Sequence, residues 1–170
     1  MQSDTVRMLA AYNRAANGKM NELIQGLDAG EWEKNLGGYF PSIRSICSHT
    51  YYWDLTWFGR FARSGAFEAA KDPLLNRDYA RTELFFPRVE DYLEGRGVLD
   101  ELLIRFTGEL GDEDLARPLK PGEGPERNCG ALMLHAFNHQ THHRGMISLY
   151  LEFLGRANDF NSLSAYLGGR

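Results

Sequence analysis

Apolar residues recur at alternating steps of three and four along four stretches of this chain. That spacing puts one apolar stripe on the side of an α-helix packed nearly parallel to its neighbours. The first helix is expected from about Asp4 to Leu27, with Ser3 as N-cap. Its stripe is Val6, Leu9, Asn13, Ala16, Met20, Leu23 and Leu27. Asn13 is the polar member of that stripe, and a buried asparagine has to satisfy a backbone group or a neighbour, so its expected role is structural. Gly30, Gly37, Gly38 and Pro41 then mark a loop. A second helix is expected from about Ser42 to Ser64 and is stopped by Gly65. Its stripe is Ile43, Ile46, Cys47, Trp53, Trp57 and Phe61.

Residues 65 to 78, with Pro73, form a connection. The stretch RTELFFPRVEDYLEGRGVLDELLIRFTGEL keeps helical spacing but is interrupted by Pro87, Gly95 and Gly97. The expectation is a third helix from about Pro87 to Leu110, strained near Gly95, with Gly111 as its stop. A long connection over 112 to 127 contains Pro118, Pro121 and Pro125. A fourth helix follows from about Asn128 to Leu154, ended by Gly155, and then a short helix from Ser162 to Leu167. No segment reads as a convincing strand. Four long amphipathic helices around one core make an all-α four-helix bundle, and 170 residues suit a single domain over 1–170.

Charge narrows the function classes. The formal net charge is -4, with Lys and Arg scattered and no run of like charge, which argues against binding a nucleic-acid backbone. No stretch approaches the roughly 18 apolar residues of a membrane span. The N-terminal MQSDTVRMLAAYN lacks the regions of a signal peptide, so the expected location is cytoplasmic. Cys47 and Cys129 belong to no CxxC pair and are expected as two separate thiols.

The candidate chemistry lies in the histidines. All five fall on the second and fourth helices: His49 on one, His135, His139, His142 and His143 on the other. At about 100° per residue, Leu132, Ala136, Met146, Ile147, Tyr150 and Leu154 define one face of the fourth helix. His139 and His143 fall near the middle of that face, and His135 and His142 at its edge. Arg144, Thr141, Ser148 and Glu152 fall opposite, so Arg144 is expected in solvent or in a surface ion pair. Two neutral imidazoles side by side in an interior need partners, two charged ones would repel, and one divalent ion solves both problems. HExxH zinc sites use the same i, i+4 spacing, but here the spacer is Gln-Thr-His and carries no glutamate base. The alternative is a pair of core histidines bonded to helix carbonyls or to Asn13. His49 lies at the flank of its stripe, from where it could reach the interior or stay at the boundary.

The stretch HAFNHQTHHRGMISLYLEFLG followed by DFNSLSAYL, the segment SIRSICSHTYYWDLTWFGRF and the opening AAYNRAANGKMNELI together resemble the DinB-like (YfiT-like) family of metalloenzymes. The resemblance spans nearly the whole chain, and NHQTHHRG is its most specific part. It implies an up-down-down-up four-helix bundle, often a homodimer. It also implies a metal site of one histidine from the second helix and an HxxxH pair from the fourth. Those positions are His49, His139 and His143 here. Met146 stands where the family usually has glutamine. Zinc is the default ion for three histidines, and nickel also suits imidazole.

Three protein ligands leave an open coordination position. The leading expectation is a low-molecular-weight-thiol-dependent S-transferase acting on a small-molecule substrate. A second is a hydrolase using a metal-bound water, with Asp54 as its candidate base. A third is a non-catalytic, stress-associated metal-binding scaffold. Tyr51, Tyr52, Trp53 and Trp57 are candidate pocket residues, and His142 is a candidate proton shuttle.

Overall fold

The protein is described by a computed structural model covering residues 1–80, 85–120 and 124–169. The expected helical spacing over 81–84, and Pro121, lie outside the described residues. Four long helices form: α1 (Ser3–Ile24), α3 (Ile43–Arg63), α4 (Val89–Glu109) and α6 (Cys129–Phe153). Between them lie the short α2 (Ala29–Glu33) and α5 (Asp112–Ala116) and a 3-10 turn at Glu68–Lys71, and the short α7 (Leu163–Gly168) follows α6.

Cross-helix contacts fix the topology. Arg7 reaches the carbonyl of Leu110 and Arg14 meets Glu101, so α1 and α4 run antiparallel. Asp54 meets Arg96 and Phe58 meets Phe106, so α3 and α4 run parallel. His49 meets His143 and Trp57 meets His135, so α3 and α6 run antiparallel. The result is the up-down-down-up bundle. No helix among the described residues is long and apolar enough to cross a membrane.

Local sequence explains the ends. Ser42 caps α3 in a capping box with Ser45, and Asn128 caps α6 by accepting from the Ala131 amide. Gly155 takes φ +79° after α6, where the amides of Gly155 and Arg156 return to the carbonyls of Glu152 and Leu151. This is the glycine-terminated Schellman pattern. Ser3 is not the cap of α1; Gln2 holds that position and the Ser3 amide donates to Asp112 Oδ1.

Other boundaries differ for physical reasons. α4 begins at Val89 behind Arg88 rather than at Pro87, and it passes Gly95 without a break. Gly95 is there for clearance: a Cβ would come within 2.8 Å of the Phe86 ring. Phe86 itself has φ +58° and lays its ring against Tyr51 and Tyr92. The connections hold unexpected short elements. Asp28 and Glu31 form a capping box that starts α2, and Pro118–Leu119 pairs antiparallel with Arg127–Asn128 as a two-residue ladder.

The interior has two apolar clusters. One gathers Phe58, Phe61, Leu102, Phe106, Met133 and Phe137, and the other Ile24, Trp32, Ile43, Ile46, Ile147 and Leu151. Between them lies a polar layer to which all four long helices contribute. Arg96 donates to Asp54 at 2.6 Å and to Asp100 at 2.7 Å. Asn17 donates to Asp100 at 3.0 Å, and Gln140 donates to Asp54 at 2.7 Å. Arg144 donates to Asn13, to Asn17 and to Asn161. Arg144 is therefore not on the solvent side as its position on the helix suggested; it is 2% exposed. Asn13 has the structural role expected, with Arg144 as its partner. Burial pushes the carboxyls of Asp54 and Asp100 up, and the Arg96 guanidinium pulls them back.

Removing one member of such a layer strands its partners without solvent. Asp100→Leu is expected to cost about 3–5 kcal/mol in urea denaturation. Adding Arg96→Met should return a large part of that loss. If the double variant is as unstable as the sum of the singles, the layer does not act as a coupled unit.

Candidate metal centre

The polar layer sets the height at which α3 and α6 meet, and the histidines lie on the outer seam of that contact. His49 comes from the second turn of α3, one residue beyond Ser48, whose hydroxyl ties this turn to the carbonyl of Phe85. His139 and His143 are one turn apart on α6, flanking Gln140, which is locked to Asp54. Register between the two helices is thus held by buried hydrogen bonds directly beneath the imidazoles.

The three rings converge. His139 Nε2 lies 3.3 Å from His49 Nε2 and 3.0 Å from His143 Nε2, and one ligand atom from each lies within 4.8 Å of the others. Nitrogens bound to one tetrahedral zinc at about 2.0–2.1 Å sit about 3.3 Å apart. This cluster could hold a metal ion, and its all-imidazole donors suit a borderline divalent cation. Burial, reinforced by the neighbouring histidines, pushes His139 down to about 4 and His143 down to about 3. Both imidazoles are then neutral at pH 7, with a lone pair available to a cation.

The site is less central than the expected face of α6 implied. The buried side of α6 runs through Met133, Phe137, Gln140, Arg144, Ile147 and Leu151. His143 lies at the edge of that side at 5% exposure, and His139 is half-buried. His135 and His142 are exposed, with ring centres 6.3 Å from His139 and 4.8 Å from His143 respectively. The alternative of Asn13 as partner to the histidines does not hold, since Asn13 faces Arg144.

Aromatic rings surround the cluster. Phe40 packs at 4.5 Å on His49 and 5.4 Å on His143. Its loop is held by the Tyr150 hydroxyl, which donates to the Phe40 carbonyl. Gly38 permits that approach, because a Cβ there would collide with the Tyr150 hydroxyl. Trp53 lies 6.3 Å from His139 and stacks on Trp57, which in turn meets His135. Trp53 and Trp57 are half-buried walls of the seam, not core residues of α3; Tyr51, Leu55 and Phe58 take the core positions. Tyr51 faces Phe85 and Phe86, away from the histidines.

Asp54 does not face the cluster as a free base. It is 1% exposed, and its two oxygens accept from Arg96 and Gln140. Sequence reading missed Phe40, the polar layer and the anchoring role of Gln140. The one available signal was a charged or amide residue recurring at helical spacing on all four helices: Asn13/Asn17, Asp54, Arg96/Asp100 and Gln140/Arg144.

An up-down-down-up helical bundle with three histidines gathered where its second and fourth long helices meet defines a class of small helical proteins with a prospective metal centre. Residues 1–164 match the DinB family, and the chain belongs to that family. It is 28% identical over 169 residues to the protein DinB of Bacillus subtilis (strain 168), spanning 97% of this chain and 95% of that one. Its fold is similar to the crystal structure of a DinB-like protein from Bacillus subtilis, with TM-score 0.66 at 15% identity over 88% of this chain and 94% of that one.

Two measurements test the centre. Untagged protein is expected to carry about one divalent ion per chain by elemental analysis. His139→Ala should remove it and His142→Ala should leave it; full occupancy in His139→Ala would exclude the cluster. In metal-free protein, the His139 and His143 ring signals should keep neutral-form NMR shifts from about pH 8 to about pH 5, because burial disfavours their charged form. Titration of both near the ordinary value of about 6.5 would contradict that environment.

Proposed function

We propose that this protein is a divalent-metal-dependent enzyme of the low-molecular-weight-thiol S-transferase kind, with zinc the first choice of metal and nickel the second. His49, His139 and His143 are the ligands in this reading. The observation that carries it is three imidazoles converging at a partly buried, aromatic-walled seam, with no carboxylate in the cluster among the described residues. A divalent ion held there supplies Lewis acidity and an open position, where a thiol or a water ionises near neutral pH.

The chain's own residues favour an external thiol. Cys47 and Cys129 are free, buried in the apolar clusters, and pushed up to about 12 and about 11 by burial. Such thiols stay protonated and are poor nucleophiles, so the sulfur has to come from a small molecule. Phe40, Trp53 and Trp57 offer apolar surface to the rest of that molecule or to its electrophilic partner. The hydrolase reading is weakened because Asp54 is already engaged by Arg96 and Gln140. A reducing, cytoplasmic setting fits the two unpaired thiols. Exposed Leu134, Leu149 and Phe153 on the outer side of α6 support a homodimer.

Cobalt-substituted protein titrated with millimolar thiol is the direct test. A sulfur-to-metal charge-transfer band is expected, lost in His143→Ala. An unchanged spectrum would remove the transferase reading. Ester turnover that stops on chelation would favour the hydrolase, and neither response would leave a scaffold.

A further inference from the structure

Next to the metal centre, on the adjoining stripe of α3, is a second concavity that the reading above does not use. It encloses about 190 Å³ between α3 and the loop at 77–79. Arg60, Arg63 and Arg77 line it together with Tyr52, Thr56 and Tyr79. Three guanidinium groups share it with one carboxylate, Asp78, which lies 3.6 Å from Arg63. Arg63 also donates to the carbonyl of Leu75. Its role is thereby structural, and it takes Asp78 with it.

Arg60 and Arg77 are different. Neither has a hydrogen-bond acceptor or a carboxylate among the described residues. Each is instead placed on an aromatic face: Arg60 over Trp57 at 5.4 Å, and Arg77 over Tyr79 at 4.2 Å. A stacked guanidinium is held with its N–H edge free, the geometry that receives an oxyanion in bidentate fashion. The chain is acidic overall, so a concave pocket with an excess of positive charge runs against its general surface.

Trp57 joins this pocket to the metal centre. One side of its ring carries Arg60, and the ring also meets Trp53 and His135. Thr56 and Arg60 lie two and three turns beyond His49 on the same helix, about 10 and about 16 Å along its axis. One extended small molecule can therefore span both places along a tryptophan-lined path.

We propose that Arg60 and Arg77 bind the carboxylate or phosphate of a small-molecule substrate or thiol whose reactive end reaches the three-histidine centre. The spanning part rests on the metal-centre reading; the oxyanion pocket does not.

Calorimetric titration of the zinc-loaded and the metal-free protein with inorganic phosphate and with succinate tests the pocket, and comparing the two separates phosphate from carboxylate preference. Binding is expected with or without metal, and about tenfold weaker in Arg60→Gln and in Arg77→Gln. Arg105→Gln, on the exposed side of α4, serves as the control and should bind as the wild type does. Equal binding in wild type and both variants, or no heat for either anion, overturns the pocket.

The spanning claim is read on cobalt-loaded protein with glutathione and with its diester, in which both carboxylates are masked. Glutathione should give the charge-transfer band at about tenfold lower concentration than the diester, and Arg60→Gln should erase that preference. A preference untouched by Arg60→Gln overturns the spanning claim. If neither thiol gives a band while phosphate or succinate still depends on Arg60, the transferase reading and the spanning claim fail and the pocket stands.

Discussion

The paired charges of Asp54, Arg96 and Asp100, with Arg144 and its asparagines beside them, are the constraint on which the other features depend. Each group is nearly out of water and each is hydrogen-bonded to a residue from a different helix. An apolar core tolerates small slides and rotations of its helices, because one methyl contact replaces another. A buried guanidinium tolerates neither, since a slide of one residue exchanges its carboxylate for hydrocarbon. The layer therefore specifies the register and rotation of all four helices, at some cost in stability relative to a wholly apolar interior.

The histidine cluster inherits that register. Gln140 sits between His139 and His143 in sequence and holds Asp54 beneath them, so the depth of the imidazole pair is set from inside. Hydrogen bonds within the protein position both helices at this height. Metal binding at a preformed cluster of this kind does not have to drive folding, in contrast with small zinc domains that are unfolded without their ion. The three ring nitrogens thus face one another on a scaffold whose own hydrogen bonds set their spacing.

Much of this was legible in the sequence, for identifiable reasons. The long helices follow from their three-and-four spacing, the starts at Ser42 and Asn128 from capping side chains, and the end at Gly155 from a backbone free to take positive φ. The rotation of α6 was not legible. Its apolar residues spread around much of the helix, with Leu134, Leu149 and Phe153 exposed and Gln140 and Arg144 buried. A pattern rule that treats charge as surface then turns the helix the wrong way. The pair His139 and His143 survived this error because it lies on a flank shared by the expected and the observed faces. Trp53 and Trp57 failed for the converse reason: large and apolar, they were assigned to the core, whereas the smaller, charged Asp54 occupies it. Gly95 shows the limit of reading glycine as a breaker, since it serves to admit the Phe86 ring.

Phe40 has a different standing from the other groups around the histidines. It belongs to a loop between short α2 and α3, fastened to the bundle by one tyrosine hydroxyl and one glycine clearance. The neighbouring Tyr39 is 90% exposed, and no member of the polar layer lies in that loop. The exposed part of that loop is therefore free of the charge pairing that fixes the helices. The protein thus separates two kinds of heredity: a scaffold that resists alteration because its charges interlock, and a rim over the imidazoles that can diverge residue by residue.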